Sequence, residues 1–172
     1  MKFGIDIGHN CPPDSGAVGI KAENNLNTEV GTRVIAKLRA LGHEVINCTP
    51  SKATTVNDSL RQRVRRANTE KVGLYVSIHF NAFNKKAFGT EVFAISAIGR
   101  AYANCVLEEI CKLGFTNRGV KDGSHLFVVK NTVAPAILIE CCFCDSERDM
   151  DLYDAEKMAD AIVAGLVEEL PK

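Results

Sequence analysis

Apolar residues recur along this chain in short runs and in helical spacing, and the two alternate. Residues 2–7 form a short apolar run closed by Gly8, which predicts a buried strand. Residues 8–22 carry three Gly and two Pro and predict a loop. Leu26, Val30, Val34, Leu38 and Leu41 then recur at three- and four-residue spacing, one apolar stripe on a helix. Asn24, Asn25 and Asn27 suit a cap better than a helix interior, so the helix is expected to start near them, and Gly42 to end it. Residues 44–48 read as a second strand, 59–68 as a second helix and 73–79 as a third strand. Residues 90–95 read as a strand at an edge of the sheet. Ala101, Tyr102, Cys105, Ile110 and Leu113 mark a helix over 97–113, stopped by Gly114. The run 136–140 is a strand. Met158, Ile162, Leu166 and Leu170 place a last amphipathic helix over 155–170.

Strands alternating with long helices predict one α/β domain over residues 1–172: a twisted, mostly parallel sheet with helices on both faces. Such sheets bind ligands beyond the carboxyl ends of their strands. Three of the predicted strands run out in a reactive residue, at His9, His79 and Glu140, and the first helix opens beside Glu23.

Composition narrows the class. A chain of 172 residues with 46% hydrophobic and 24% charged residues has enough apolar surface for a core of its own. Lys+Arg and Asp+Glu both number 21, so there is no cationic surplus of the kind a nucleic-acid binder uses against phosphates. The absence of Trp speaks against a stacked carbohydrate platform. Seven scattered Cys, an odd number, read as free thiols rather than a disulfide framework. Residues 1–9 lack the apolar core of a signal peptide and no run reaches membrane-spanning length, so synthesis in the cytoplasm without a membrane anchor is the expectation.

His9, Glu23 and His79 are two imidazoles and one carboxylate, a donor set suited to a single catalytic zinc with one coordination position left for water. Other divalent ions stay open on donor type alone. Zinc would acidify that water and polarise a carbonyl, and a further group would have to move the proton. Glu140 is the candidate: at the end of an apolar strand it would be partly desolvated, which raises a carboxyl pKa toward the working pH. The ligands stand 14 and 56 residues apart, so no compact spacing rule identifies them.

Several segments together resemble the zinc-dependent N-acetylmuramoyl-L-alanine amidases of bacterial walls and phage endolysins. They are Ile5-Asp6-Ile7-Gly8-His9, Glu23-Asn24-Asn25-Leu26-Asn27, Ser77-Ile78-His79-Phe80-Asn81-Ala82, Asn117-Arg118-Gly119-Val120-Lys121 and Ala134-Pro135-Ala136-Ile137-Leu138-Ile139-Glu140. Leu60-Arg61-Gln62-Arg63, Ala67-Asn68, Phe143 and Asp149 fit in order between and after them. The resemblance implies zinc ligands at His9, Glu23 and His79, a catalytic Glu140, and cleavage of the amide between N-acetylmuramic acid and L-alanine of the stem peptide. Two departures stand out: Asn10 and Cys11 where the family often has glycines, and Cys141 and Cys142 where small residues are usual. The endolysin-like branch is the nearer one. It would imply peptidoglycan as substrate, delivery to the wall by a pore-forming protein, and a monomer, with no wall-binding module after the last helix.

Other residues carry two readings each. Asn81, two after His79, is either a substrate or ligand-supporting contact or a structural amide. His125, between Gly123-Ser124 and an apolar run read as a strand, is a substrate contact or a surface histidine. Arg61, Arg63, Arg65 and Arg66 read as a solvated helix face, with an anionic wall polymer as the alternative. Cys141, Cys142 and Cys144 read as buried small apolar residues rather than a metal or redox site; Cys11 is an unneeded fourth donor. Asp6 has no assigned place beyond a supporting acceptor, and His43 is expected at the surface. Three other activities remain at this level: a zinc peptidase cutting within the stem peptide, a wall-binding module without catalysis, and a metal or thiol protein.

Overall fold

The computed structural model describes residues 1–168. Six strands form one sheet: β1 (Lys2–Ile7), β2 (Glu44–Asn47), β3 (Leu74–Asn81), β4 (Thr90–Ala94), β5 (Asn117–Asp122) and β6 (Ala136–Phe143). Six helices join them: α1 (Glu23–Ala40), α2 (Val56–Thr69), α3 (Ala97–Cys111), α4 (Phe127–Asn131), α5 (Glu147–Leu152) and α6 (Ala155–Val167). The order across the sheet is β2-β1-β3-β6-β4-β5. Strands β2, β1, β3 and β6 run parallel; β4 pairs antiparallel with β6, and β5 parallel with β4.

Helices α1, α3 and α6 pack on one face, where Ile5, Ile7, Val76, Ile78, Ile137 and Ile139 meet Leu26, Val30, Val106, Ile110 and Ile162. Helices α2 and α4 cover part of the other, through Val64, Ala67, Val128 and Val129 against Tyr75, Ala136 and Leu138. The period of two along each strand sends alternate residues to these two sides. The α/β class with a mostly parallel sheet and helices on both faces is therefore as the sequence predicts.

Several elements differ. Residues 90–94 are not an edge strand: β4 lies between β6 and β5. The edge is β5, which the sequence reading treated only as a block before the late strands. Its Asn-Arg-Gly-Val-Lys-Asp sequence has no buried position, Asn117, Arg118 and Asp122 being exposed and the rest half-buried, and no apolar alternation to reveal it. The apolar run after His125 is the short helix α4, because a run of four apolar residues fits either period. Strands β3 and β6 continue past His79 and Glu140, to Asn81 and Phe143. Helix α2 begins before Ser59, at Val56, because Thr55 caps it, its hydroxyl accepting from the Asp58 N–H at 3.0 Å. Helix α1 begins at Glu23 without a side-chain cap. The asparagines near its start are used elsewhere: Asn24 Oδ1 accepts from Gly16 N–H at 2.9 Å and Asn27 Nδ2 donates to the Gly8 carbonyl at 2.9 Å. Gly42, at φ +83°, follows the end of α1 as expected. Leu170 of the last predicted helix lies outside the described residues. His43 is half-buried, its ring edge-on to Phe3.

Candidate active site

The site stands just past the end of β1 and in the carboxyl-terminal halves of β3 and β6. His9 follows β1 in a tight turn with φ +54°, and Asn10 follows it at φ +56°. Asn is among the residues that best tolerate this left-handed region, and its Nδ2 donates to the carbonyls of Gly8 and Asn24 at 2.9 and 3.0 Å. That accounts for an asparagine after the first histidine. Gly8 is required by a close approach: a Cβ there would lie 2.5 Å from the His79 ring. Gly16 has the same relation to Glu23, whose carboxylate would stand 2.6 Å from an added Cβ.

His9, Glu23 and His79 offer donor atoms that all lie within 4.8 Å of one another. Glu23 Oε1 is 3.3 Å from His9 Nε2 and 3.1 Å from His79 Nδ1. Each ring has its other nitrogen engaged outside the trio. His9 Nδ1 stands 2.8 Å from Asp14 Oδ1, and His79 Nε2 stands 3.1 Å from Ser77 Oγ. One nitrogen of each imidazole is thus turned inward and its ring orientation fixed by the other, which is how metal-binding histidines are held.

Electrostatics follow this geometry. Burial disfavours the charged forms of both His9 and Glu23, but their mutual hydrogen bonds outweigh it. The His9 pKa is pushed up to about 9 by Glu23 and Asp14, and the Glu23 carboxyl is held well below its usual range by His79 and His9. Asp14 resists burial in the same way, held down by the Ser59 hydroxyl, His9 and the Arg63 charge.

Glu140 of β6 stands directly beside His79 of β3 in the parallel register. Burial, and then the charges of Glu23 and Glu91, raise its pKa well above the ordinary glutamate value, with His9 acting in the opposite sense. Its Oε2 is buried without a hydrogen-bond partner among the described residues. An isolated carboxylate oxygen of this kind is costly to keep and retains its full basicity.

Behind the histidines lies a buried ionic network. Arg63, 1% exposed, donates to Asp6, to the carbonyls of Ile7 and His9, to Ser59 Oγ at 3.2 Å and to Asp14 Oδ2 at 3.3 Å. Asp6 also accepts from the Tyr75 and Ser77 hydroxyls at 2.7 and 2.8 Å. Arg63 is therefore not on the solvated face expected for it, although Arg61, Arg65 and Arg66 are exposed. The signal was present in Ser59, Arg63 and Ala67, one buried row at four-residue spacing on α2. Asp6, Asp14 and Ser59 carry no sequence pattern that would mark them as partners.

His9, Asp14, Arg63, His79, His125 and Phe127 line a cavity of about 270 Å³. His125 is exposed at its mouth, edge-on to Phe93. Asn81 does not point at the trio's donors: its Nδ2 donates to Glu91 Oε1 at 3.1 Å. Cys11, Cys141, Cys142 and Cys144 are buried free thiols, and the last three belong to the apolar core.

An α/β domain with two imidazoles and a carboxylate gathered at the strand ends, and a buried glutamate beside them, is a hydrolase-like architecture. The N-acetylmuramoyl-L-alanine amidase family model matches residues 4–170, and the chain belongs to that family. It is 36% identical to an uncharacterised protein of Clostridium perfringens over 168 residues, 94% of this chain and 49% of that one. A second Clostridium perfringens protein is spanned to 48%, so the chain spans about half the length of these curated relatives. Among solved structures it resembles the catalytic domain of CD27L, an endolysin targeting Clostridia difficile, with a TM-score of 0.89 and 28% identity, covering 100% of this chain and 99% of that one. It also resembles the catalytic domain of the amidase CwlV from Bacillus (Paenibacillus) polymyxa, with a TM-score of 0.83 and 30% identity, covering 96% and 95%.

Proposed function

We propose that residues 1–172 are a zinc-dependent amidase domain that hydrolyses the bond between N-acetylmuramic acid and L-alanine in peptidoglycan. The observation that carries this reading is the inward convergence of one nitrogen from each of His9 and His79 and one oxygen of Glu23, with Glu140 next to them. Family membership supplies the bond to be cut.

The donors fit zinc in type and number, and Asp14 and Ser77 hold the two rings from behind. A zinc ion held by His9, Glu23 and His79 would supply Lewis acidity, polarising the scissile carbonyl and acidifying water. Glu140 then performs the proton transfers. Its Oε2, free of partners among the described residues, takes a proton from the water that attacks the lactyl carbonyl carbon. As the carbon–nitrogen bond breaks, Glu140 returns that proton to the L-alanine nitrogen, which leaves as a neutral amine. Asp14 keeps a proton on His9 Nδ1, so that Nε2 remains the donor atom.

The same reading makes peptidoglycan the partner and the wall the place of action. It fits the match to an endolysin of Bacillus phage SPP1, 30% identical over 174 residues. No helix among the described residues is long and apolar enough to cross a membrane.

The test is turbidity loss of purified peptidoglycan with and without chelator, followed by mass spectrometry of the soluble products. Chelator-sensitive release of stem peptides with free N-terminal L-alanine and intact glycan is expected. Products cut within the stem peptide would instead identify a zinc peptidase. Glu140→Gln should lower kcat by about 10²–10⁴-fold while zinc still binds, measured by calorimetry; unchanged kcat removes Glu140 from the reaction.

A further inference from the structure

The functional face of the sheet continues beyond Glu140. Glu91 of β4 is the direct cross-strand partner of Glu140 in the antiparallel register, and such partners project from the same face. Glu91 is 5% exposed and both its oxygens are used. Oε1 accepts from Asn81 Nδ2 at 3.1 Å; Oε2 accepts from Arg118 Nε at 2.8 Å and from Lys121 Nζ at 2.6 Å. Both cations come from the edge strand β5 and reach back over β4. The Arg118 guanidinium is held further by the face of Phe143, 4.9 Å away, and by a long contact from Nη1 to the Phe88 carbonyl at 3.4 Å.

Folding does not account for this cluster. One cation neutralises Glu91, and the second leaves a net positive charge. The Arg118 and Lys121 side chains are 34% and 40% exposed, and ion pairs with exposed partners add little to stability. Arg118 Nη2 has no hydrogen-bond partner among the described residues, and Lys121 spends only one of its three donors. The arrangement leaves fixed, part-exposed cationic donors bonded to the cross-strand neighbour of the acid–base glutamate.

We propose that Arg118 and Lys121, held in place by Glu91, form a carboxylate-binding subsite for the peptide side of the scissile bond. The inference rests on the amidase reading. Because both cations are bonded to Glu91 from the β5 side, their charged ends lie about one strand spacing plus a hydrogen bond, roughly 8 Å, from Glu140 across the sheet. In an extended stem peptide the α-carboxylate of the second residue, D-glutamate, lies two residues beyond the scissile nitrogen, roughly 7 Å, a similar reach. A guanidinium and an ammonium side by side suit that carboxylate and discriminate against the α-carboxamide, which carries no charge and brings N–H donors against donors.

Two measurements test this. The first compares kcat/KM on glycan-linked stem peptides bearing D-glutamate or its α-amide at the second position. The wild-type protein is expected to prefer the carboxylate by about tenfold, the worth of one charge-assisted hydrogen bond. Lys121→Met should bring that ratio toward one and Lys121→Arg should preserve it. A ratio near one in the wild-type protein, or an unchanged ratio in Lys121→Met, overturns the subsite. The second measurement titrates the zinc-loaded protein with L-alanyl-D-glutamate and with its α-amide, read by NMR at the Arg118 and Lys121 side chains. Preference for the acid without hydrolysis of any wall sinks the amidase reading and keeps the subsite. Wall hydrolysis with no preference in either measurement does the reverse, and neither hydrolysis nor preference overturns both.

Discussion

The two faces of the sheet are made by the same strands and have opposite chemistry. On the α1/α3/α6 side, Ile5, Ile7, Val76, Ile78, Ile137 and Ile139 pack into a dry core. One residue over on the same strands, Asp6, Ser77, His79 and Glu140 face the other side, where Arg63 and Asp14 join them. The first face gains from burying area and is insensitive to polar detail. The second buries charge, which Arg63, Asp6 and Asp14 tolerate through their mutual partners, while Glu140, with none at Oε2 among the described residues, is pushed toward its neutral form. The comparison explains why one face supplies stability and the other supplies the site. A polar network fixes the orientation of two imidazoles more tightly than apolar packing could, at a cost the dry face offsets.

Breaking this asymmetry should have unequal effects. Arg63→Met should be the most damaging, since it strands Asp6 and Asp14. We expect a loss of about 3–5 kcal/mol in urea unfolding. Zinc affinity should also weaken, since the His9 carbonyl and Asp14 lose their anchor; wild-type affinity in folded protein would show the network to be purely structural. On the dry face, Ile162→Val should cost about 0.5–1.5 kcal/mol and leave kcat per folded molecule unchanged. A change in kcat there would mean that the faces are mechanically coupled. The smallest effect concerns pH. The Glu91 carboxyl is raised by burial but held below its ordinary 4.5 overall by hydrogen bonds from Lys121 and Arg118 and by their charges. A depressed carboxyl pKa adds stability that is complete above 4.5 and fades as pH falls toward the folded value. Unfolding free energy should therefore fall less steeply below pH 4.5 in Glu91→Gln than in the wild-type chain; parallel curves would show that Glu91 contributes nothing to acid lability.

Much of the dry face was legible in the sequence, because burial on one side imposes a period. Leu26, Val30, Val34 and Leu38 gave α1, and Met158, Ile162 and Leu166 gave α6. Where burial is partial, the period fails: β5 carries none, the apolar run of α4 fits a strand as well as a helix, and nothing local to β4 shows that it lies between β6 and β5. The trio itself was legible as residue types near predicted strand ends. Its supports were not, because Asp14 and Arg63 are partners only through a fold that brings positions 49 residues apart into contact.

By itself the sequence determined the α/β class, the main helices, and the candidate residue types for metal binding and acid–base work, since composition and periodicity are local properties. The tertiary structure alone decided that Glu91 stands opposite Glu140, that Arg63 is buried, and which nitrogen of each histidine faces inward. Those are consequences of strand register and of hydrogen-bond partners far apart in the chain, and no local pattern encodes them.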